Sequence, residues 1–361
     1  MKLESTEFSD RLQAWHKANP RVLPWKNTRN PYFIWLSEVI LQQTRVDQGT
    51  KYYHAFTSTF PTVSDLANAP DDQVMKLWEG LGYYSRARNL HLTAKYIDAN
   101  YAGVFPNDYA QIRELKGIGD YTAAAIASFA FDLPYAVLDG NVYRVLSRIF
   151  GIETAIDTPA AKKEFSTLAT LLLNKENPAQ HNQAIMDFGA TCCTPKRAQC
   201  NTCHFQDICV AFTNEKIDLL PIKSKKMIKR DRYFQYLLVR QDGQTWINKR
   251  IEKDIWQDLY ELPCIETEDF IEKDDLLKQD LFFKYFNHKN FTFRKTSKPH
   301  KQVLTHQNIY ATFWEIDLEK HETAFENSNF LKIIEKNLEN YAFPRIIDLY
   351  FRTPQLQPEL F

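Results

Sequence analysis

Residues 115–126 have the sequence LKGIGDYTAAAI, in which Gly117 and Gly119 separate two stretches of helical composition. Glycine tolerates the backbone angles of a tight turn, so this sequence predicts a hairpin whose second helix covers roughly 120–130. The N–H groups at the start of that helix would face outward, where they suit an anion such as a phosphodiester. A G-x-G pair alone is a weak signal, and a plain helix–helix connection is the alternative.

The sequence on both sides of this hairpin is helical in pattern, and the pattern changes near residue 230. Upstream, stretches of helical period are interrupted by proline and glycine, and no strand-like alternation persists. Downstream, YFQYLLV (233–239) and TWINKR (245–250) flank an Asp-Gly turn and predict a β-hairpin. The stretch NIYATFWEI (308–316) predicts a further strand.

Length and composition favour two globular domains. The chain has 361 residues, of which 44% are apolar and 25% are charged, and both values are ordinary for folded proteins. We predict a multidomain fold: an all-α domain over residues 1–215, a polar, basic linker over 216–231, and an α+β domain over 232–361.

The N-terminus and the charge balance narrow the class of protein. MKLESTEFSDRL is polar and acidic, unlike a signal or transit peptide, and no apolar run reaches membrane length. We therefore expect a soluble, intracellular protein with reduced thiols. Basic and acidic residues number 45 each, so nucleic-acid binding would depend on a local basic patch.

Four of the six cysteines share a short segment with the spacing C-x6-C-x2-C-x5-C: Cys193, Cys200, Cys203 and Cys209. Thiolates this close in sequence can converge on one metal centre. An iron–sulfur cluster and zinc both remain open, although four-cysteine zinc sites commonly use two separated C-x2-C pairs. Cys192 is expected to point away from the centre, and Cys264 to be a buried spectator.

Together these motifs resemble a known enzyme family. LKGIGDYTAAAI resembles the hairpin of the helix-hairpin-helix DNA glycosylase superfamily, and the cysteine spacing resembles the 4Fe-4S loop of its endonuclease III and adenine glycosylase (MutY) branches. WLSEVILQQT (35–44), GLGYYSRARNL (80–90) and VLDGNVYRVLSR (137–148) resemble the MutY branch in particular. The motifs occur in order over residues 20–209.

The resemblance implies an activity, a cofactor and a partner. Members of this family act in base-excision repair and remove adenine mispaired with 8-oxoguanine, or with guanine, from double-stranded DNA. The resemblance implies a 4Fe-4S cluster held by Cys193, Cys200, Cys203 and Cys209, and a protein that acts as a monomer. The region after residue 230 resembles, more weakly, the Nudix-like C-terminal domain of the family.

Two carboxylates fit this chemistry. An enzyme that acts on a base must first flip it out of the duplex. It must then protonate the leaving purine and stabilise a cationic sugar, and two carboxylates with different pKa values can do both. Glu38 has apolar helical neighbours, Ile34, Trp35 and Leu41, so burial should raise its pKa and make it the general acid. Asp139 precedes a helix predicted at 142–150, whose N-terminus favours the ionised form. The resemblance assigns both residues the same roles.

Tyr121 distinguishes two branches of the superfamily. The bifunctional endonuclease III branch carries a lysine at this hairpin position, and that lysine forms a Schiff base before strand cleavage. A phenol cannot form an imine. The sequence therefore predicts removal of the base without a dedicated lyase step.

Further residues match DNA-contacting positions of the family. Gln43 and Tyr83 match residues that enter the base stack beside the lesion. Phosphate contacts are expected from the hairpin glycines and from some of four basic residues: Arg86, Arg88, Lys196 and Arg197. The adenine-pocket segment is matched by four residues: Arg21, Leu23, Trp25 and Lys26. The family often has arginine at the position of Lys26, and lysine lacks the planar fork needed for bidentate contact.

The C-terminal region is predicted to bind without hydrolysing. Residues 250–270 lack the Nudix metal-binding motif G-x5-E-x7-R-E-x2-E-E. In the family a Phe-Ser-His loop recognises 8-oxoguanine, and the best match here is Leu304-Thr305-His306. Thr305 keeps the hydroxyl of the family's serine, whereas Leu304 lacks the aromatic ring of its phenylalanine. The alternative is that this segment is only a polar turn before a strand.

Two other functions remain open at this point. One is a glycosylase of the same superfamily that removes thymine from G·T mismatches, which the C-terminal domain argues against. The other is a non-catalytic DNA-binding protein with an iron–sulfur sensor. The joint presence of Glu38, Asp139 and Tyr121 argues against the second.

Overall fold

The computed structural model of this chain describes residues 4–224, 228–287, 289–322, 324–325 and 329–352. The chain divides into two compact units. The helical unit comprises Met1–Ala69 and Asn89–Lys226, and the sheet unit comprises Pro70–Arg88 and Met227–Phe361. Residues 70–88 are thus grouped with the C-terminal part of the chain, whereas they were predicted from sequence to lie in one contiguous domain over 1–215.

Helices are the only regular secondary structure in the described residues 4–224, which confirms the all-α prediction. The described helices there are α1 (Ser5–Ala18), α2 (Pro31–Leu41), α3 (Val46–Thr59), α4 (Val63–Asn68), α5 (Asp71–Leu77), α6 (Ser85–Tyr101), α7 (Tyr109–Glu114), α8 (Asp120–Phe131), α9 (Gly140–Phe150), α10 (Pro159–Leu172), α11 (Pro178–Thr191) and α12 (Val210–Thr213). Short 3-10 turns cover Cys200–Thr202 and Gln206–Ile208. None of the described helices combines the length and apolar character needed to cross a bilayer.

Apolar faces of several helices build the core of the helical unit. α9 buries Val145 and Ile149, and α11 contributes Phe188 to the same cluster as Phe8 of α1 and Phe165 of α10. α8 packs against α2 and α11 through its run of alanines, which allows close approach of the three backbones. This packing holds Glu38 on α2, Tyr121 on α8 and the N-terminus of α9 within one part of the unit.

The glycine hairpin joins α7 to α8 as the sequence predicted. Gly117 has a φ of +79°, and a Cβ atom there would lie 2.7 Å from Cβ of Asn89. Both the backbone angle and the close approach therefore require glycine at position 117. Gly119 caps α8 in an extended conformation, and an added Cβ would meet nothing within 4 Å.

The helix that carries Glu38 ends earlier than the sequence indicated. The predicted single helix over 35–44 stops at Leu41, and the backbone N–H of Thr44 turns back to donate to the Leu41 carbonyl at 3.1 Å. Gln43 has a φ of +54°, in the left-handed region that ends helices.

The sheet unit is built on a mixed β-sheet that confirms the three strands predicted from sequence. Its core order is β3-β2-β1-β7-β5, with β1 and β7 parallel and the other pairs antiparallel. The described strands and helices of the C-terminal region are β1 (Arg230–Gln241), β2 (Gln244–Lys249), β3 (Tyr260–Glu261), β4 (Cys264–Thr267), α13 (Lys273–Leu277), α14 (Asp280–Phe286), β5 (Phe291–Thr296), β6 (His300–Val303), β7 (Gln307–Leu318), β8 (Leu331–Ile334) and α15 (Arg345–Arg352). Asp242 and Gly243 form the β1–β2 turn with φ values of +48° and +72°, as two-residue hairpins require.

Part of the predicted linker is packed rather than solvated. Leu220 is buried in the core of the helical unit, and its carbonyl accepts a hydrogen bond from Nε of Arg148 at 3.1 Å. The first strand of the sheet begins at Arg230. The basic run between them includes residues 225–227, which lie outside the described residues.

Candidate active site

Glu38 lies on α2 with 7% of its surface exposed. The hydroxyl of Tyr121 donates a hydrogen bond to its Oε2 atom at 2.6 Å. Burial raises the pKa of Glu38 to about 7, with a smaller increase from the charge of Asp139 and an opposing effect of the Tyr121 hydrogen bond. At neutral pH a large fraction of Glu38 is therefore protonated. Because Oε2 accepts from Tyr121, Oε1 is the oxygen left to carry the proton.

Asp139 is the N-cap of α9. Its Oδ1 atom accepts from the backbone N–H groups of Asn141 at 2.9 Å and Val142 at 2.8 Å, and Oδ2 accepts from the Asn141 amide at 2.7 Å. Burial nevertheless outweighs these bonds and raises the pKa of Asp139 above its ordinary value. The predicted effect of the helix N-terminus is present, because the Val142 and Asn141 N–H groups lower the pKa of Asp139, but burial has the larger effect. All three partners are N–H donors, however, and this geometry matches the carboxylate form.

Tyr121 faces the Glu38 carboxyl rather than packing only within the helix. Its hydroxyl oxygen also lies 3.5 Å from Sδ of Met186. Burial and the nearby carboxylates hold the pKa of Tyr121 well above its usual range, so the phenol stays a neutral donor. The side chain at position 121 therefore points toward the Glu38 carboxyl.

A pocket of about 460 Å³ opens beside Glu38. Of the four residues predicted for an adenine pocket, Arg21, Trp25 and Lys26 line it, whereas Leu23 does not. Ser37 and Gln183 also line the pocket, and Gln183 was missed from sequence. Trp25 is 8% exposed, so the pocket has a fixed aromatic wall.

Asp187 organises the basic side of this pocket and was also missed. Its buried carboxylate accepts hydrogen bonds from Lys26 Nζ, from His16 Nε2 at 3.2 Å and from Arg21 at 3.4 Å. Although burial opposes it, these partners hold the pKa of Asp187 below its ordinary value. The Lys26 ammonium also donates to the Arg21 carbonyl at 3.0 Å, so most of its hydrogen-bonding capacity is used within the protein.

A chain of hydrogen bonds connects Asp139 to the cysteine loop. The Asn141 amide that donates to Asp139 accepts, through Oδ1, from the Arg144 guanidinium at 2.9 Å. Nε of Arg144 donates to the carbonyl of Cys193 at 2.8 Å. The Arg144 guanidinium therefore links the cysteine loop to Asn141 and, through Asn141, to the Asp139 carboxylate.

The four spaced cysteines, Cys193, Cys200, Cys203 and Cys209, line one small cavity. Arg148 places a guanidinium N–H 3.5 Å from Sγ of Cys193, and the Phe205 N–H lies 3.4 Å from Sγ of Cys203. Within the described ranges, no group of three or more His, Cys, Asp or Glu side chains is arranged to hold a single metal ion. Thiolate donors with N–H groups aimed at the sulfurs are a donor set suited to an iron–sulfur cluster.

Cys192 departs from its prediction. It lines the same cavity as the four spaced cysteines. Cys192 is the C-cap of α11, and the N–H groups of Cys192 and Cys193 both donate to the carbonyl of Phe188, at 2.9 and 2.8 Å.

The predicted DNA-contacting residues fall into two groups. Gln43, Lys196 and Arg197 are exposed, and Tyr83 is 44% exposed with a left-handed φ of +47°. Arg86, in contrast, is buried and donates to the carbonyl of Gly82 at 3.1 Å.

Arg88 also has partners within the protein. It donates to the carbonyl of Gln257 at 2.8 Å and lies 3.5 Å from the carboxylate of Asp258. Arg86 and Arg88 thus have partners within the protein, whereas Lys196 and Arg197 are exposed.

Residues Leu304, Thr305 and His306 form the tip of the hairpin between β6 and β7. The Leu304 N–H donates to the carbonyl of Gln307 at 2.8 Å, and the carbonyl of His306 accepts from the Arg230 N–H at 3.0 Å. The hydroxyl of Thr305 is hydrogen-bonded to that of Tyr83. The loop is thus a polar turn whose side chains are presented at the surface.

Carboxylates in the region of the missing Nudix motif are paired with arginines. Arg232 binds Asp254 at 2.8 Å and Glu266 at 2.7 Å, while Arg250 binds Glu261 at 2.6 Å. These acids therefore neutralise internal cations, as expected of a domain without the metal-binding motif.

Family models match both parts of the chain. Residues 36–170 match the HhH-GPD superfamily of base excision DNA repair proteins, and residues 235–352 match the NUDIX domain. The chain is similar to adenine DNA glycosylases from two strains of Buchnera aphidicola. The protein of Buchnera aphidicola subsp. Baizongia pistaciae is 34% identical over 91% of this chain and 90% of its own length. The protein of Buchnera aphidicola subsp. Schizaphis graminum is 36% identical over 72% of this chain and 75% of its own length.

A human relative and two solved structures extend the comparison. The human adenine DNA glycosylase is 39% identical over 58% of this chain and 40% of its own length. A thermostable thymine-DNA glycosylase matches 58% of this chain and 97% of its own at 27% identity, with a TM-score of 0.54. An endonuclease III bound non-covalently to DNA is 22% identical over 59% of this chain and 99% of its own, with a TM-score of 0.52, and it shows the shared fold.

Proposed function

The chain belongs to the adenine DNA glycosylase family of helix-hairpin-helix enzymes, and we propose that it excises adenine paired with 8-oxoguanine or guanine in duplex DNA. The observation that carries this proposal is the buried Glu38 carboxyl, held by Tyr121 at 2.6 Å at the edge of a pocket. Its raised pKa of about 7 suits a group that must give up a proton near neutral pH.

The proposed reaction breaks one bond and forms one. Glu38 donates its Oε1 proton to a ring nitrogen of the flipped adenine, which leaves with the electron pair of its bond to C1′. The Asp139 carboxylate stabilises the positive charge that develops on the sugar. Water then adds to C1′ and loses a proton, which restores the acid and leaves an abasic site.

The pocket offers groups suited to adenine. The amide of Gln183 can donate to and accept from the N6/N7 edge of adenine at the same time. Trp25 supplies an apolar wall, and Lys26 and Arg21, held by Asp187, keep that side of the pocket cationic. A pyrimidine lacks the N6/N7 edge, which favours adenine over thymine as the excised base.

Excision assays on three duplexes would test the proposal. The duplexes carry A·8-oxoguanine, A·G or G·T, and each product is analysed with and without alkali. We expect alkali-dependent cleavage at adenine in the first two. Release of thymine from the third alone would support the G·T alternative, and no release from any would support a binding protein without catalysis.

Tyr121→Lys should gain strand cleavage without alkali. The substitution places an amine beside Glu38, where it can attack C1′ and form a Schiff base. The adduct would be trapped with borohydride and seen as a protein–DNA band. Tyr121→Phe is the matched control, which cannot form an imine. Absence of an adduct would show that position 121 does not reach the sugar.

We further propose that Cys193, Cys200, Cys203 and Cys209 hold a 4Fe-4S cluster. Bound there, the cluster would cross-link the loop over 193–209, and its iron would supply reversible one-electron chemistry. The chain's own residues support such a group, because Arg148 and the Phe205 N–H point at two of the sulfurs.

Purified protein should be yellow-brown, with broad absorbance near ~400 nm from thiolate-bound iron. Cys203→Ser should lose this absorbance and most of its iron, whereas Cys264→Ser, outside the loop, should keep both. Colourless, active protein that contains zinc would overturn the assignment.

The loop at Thr305 and His306 is proposed to read the lesion. A hydroxyl and an imidazole can hydrogen-bond the edge at which 8-oxoguanine differs from guanine, and such contacts are worth about 1–3 kcal/mol. Thr305→Ala/His306→Ala should therefore narrow the preference for A·8-oxoguanine over A·G, with a smaller effect on the single-turnover rate. Binding and excision would be measured on both duplexes. Unchanged selectivity would mean that the lesion is read elsewhere.

A further inference from the structure

The segment Pro70–Arg88, called here the wedge segment, carries Tyr83 and belongs to the sheet unit. Tyr83 has a φ of +47° and follows Gly82 with a φ of +74°. A tyrosine in the left-handed region is unfavourable and persists only where its surroundings fix the backbone. The contacts of the wedge segment show what fixes it.

The turn that presents Tyr83 is held internally by two buried side chains. Nε1 of Trp78 and the guanidinium of Arg86 each donate to the carbonyl of Gly82 at 3.1 Å. The same guanidinium lies 5.6 Å from the centroid of the Tyr83 ring. Side chains from both sides of the turn therefore hold its backbone at Gly82.

Upstream of Tyr83, the side chains of Lys76 and Glu79 anchor the turn to the C-terminal part of the chain. The carboxylate of Glu79 accepts from the Phe343 N–H at 2.8 Å and from Lys76 at 2.6 Å. Lys76 also donates to the carbonyl of Tyr341 at 2.9 Å. Glu79 is mostly buried, with 12% of its side chain exposed, so its charged hydrogen bonds are shielded from water.

Other contacts fasten both ends of the wedge segment. Asp72 accepts from the Tyr260 hydroxyl at 3.0 Å and from Lys249 at 2.6 Å. Arg88 donates to the Gln257 carbonyl, and the Tyr83 hydroxyl itself is bonded to Thr305. The candidate wedge and the candidate lesion-reading loop are thereby in direct contact.

We propose that the C-terminal part of the chain positions Tyr83 through Glu79, with Asp72 and Thr305 as further anchors, so that lesion reading and wedge insertion are coupled. Glu79 is a positioning residue that acts through the Gly80–Tyr84 turn. The proposal rests on the proposed function, because it assigns the C-terminal region a part in opening the duplex as well as in recognising 8-oxoguanine.

A base-opening assay tests the coupling in the full-length protein. The duplex carries 2-aminopurine, a fluorescent adenine analogue, opposite 8-oxoguanine, and its fluorescence rises when the base leaves the stack. Tyr83→Ala should reduce the rise in fluorescence, and Glu79→Ala should show most of the same reduction. The double variant should show no larger reduction than Tyr83→Ala alone. Gln73→Ala, an exposed neighbour on α5, is the matched control and should behave like the unsubstituted protein.

Hydrogen exchange of the free protein gives a readout independent of DNA. Backbone amides of residues 80–84 should exchange about tenfold faster in Glu79→Ala and Asp72→Asn than in Gln73→Ala. If Glu79→Ala fails to fold, the fluorescence and hydrogen-exchange measurements are both made on Asp72→Asn. The coupling alone would be overturned if Glu79→Ala and Asp72→Asn showed normal amide exchange and a normal fluorescence rise while Tyr83→Ala lost that rise. A protein that releases no adenine at all would instead overturn the proposed function.

Discussion

Glu38→Gln should lower single-turnover excision of adenine by about 10²–10⁴-fold, the usual contribution of a general acid, while binding to the mispaired duplex is retained. The amide has nearly the same shape as the carboxyl and can still accept the Tyr121 hydrogen bond through its oxygen. It cannot deliver a proton to the leaving base. Substantial turnover by this variant would remove Glu38 from the acid role.

The pH dependence gives a second test of the same residue. In the proposed reaction the active form of Glu38 is the protonated acid, and its pKa is raised by burial to about 7. The excision rate at low substrate should therefore be steady at acidic pH and fall about tenfold per unit above pH 7. The residual activity of Glu38→Gln should lack this fall. Glu176→Gln, an exposed carboxyl in a loop, is the control and should keep the unsubstituted profile.

The sequence was sufficient for features that depend on neighbours along the chain. The hairpin at Gly117, the Asp242-Gly243 turn and the strand over 233–239 are each specified by a few consecutive residues, and the structure contains all three. The raised pKa of Glu38 also followed from its helical neighbours, because a carboxyl on an apolar helix face is buried by any helix that covers that face.

Features that depend on distant residues were not predictable in this way. Asp187 joins the pocket only because α11 brings it against Lys26, 161 positions away in sequence. Arg86 is drawn inward by Trp78 and the Gly82 carbonyl, although its motif suggested an exposed phosphate contact. At Asp139 the local cap was predicted correctly, but burial by other elements reversed the net pKa shift.

Asp139→Asn should preserve the fold and lose excision by about 10²–10³-fold, the loss typical of removing one electrostatic contact to a transition state. Asparagine is as good an N-cap as aspartate, so its Oδ1 atom can still accept from the Asn141 and Val142 N–H groups. The melting temperature should change little. Asp108→Asn, the same substitution at the N-cap of α7, is the matched control for the cap alone and should keep full activity.

The decisive measurement for Asp139 is affinity for a charged mimic of the transition state. Duplexes would carry, opposite 8-oxoguanine, either a cationic pyrrolidine or a neutral tetrahydrofuran in place of the sugar and adenine. The unsubstituted protein should bind the cation more tightly, because the N–H donors around Asp139 favour its carboxylate form and the proposed reaction places that charge beside the sugar. Asp139→Asn should lose this preference while it keeps affinity for the neutral analogue. If the preference survives, the charge that stabilises the cationic sugar comes from another group, and Asp139 serves only as the cap of α9.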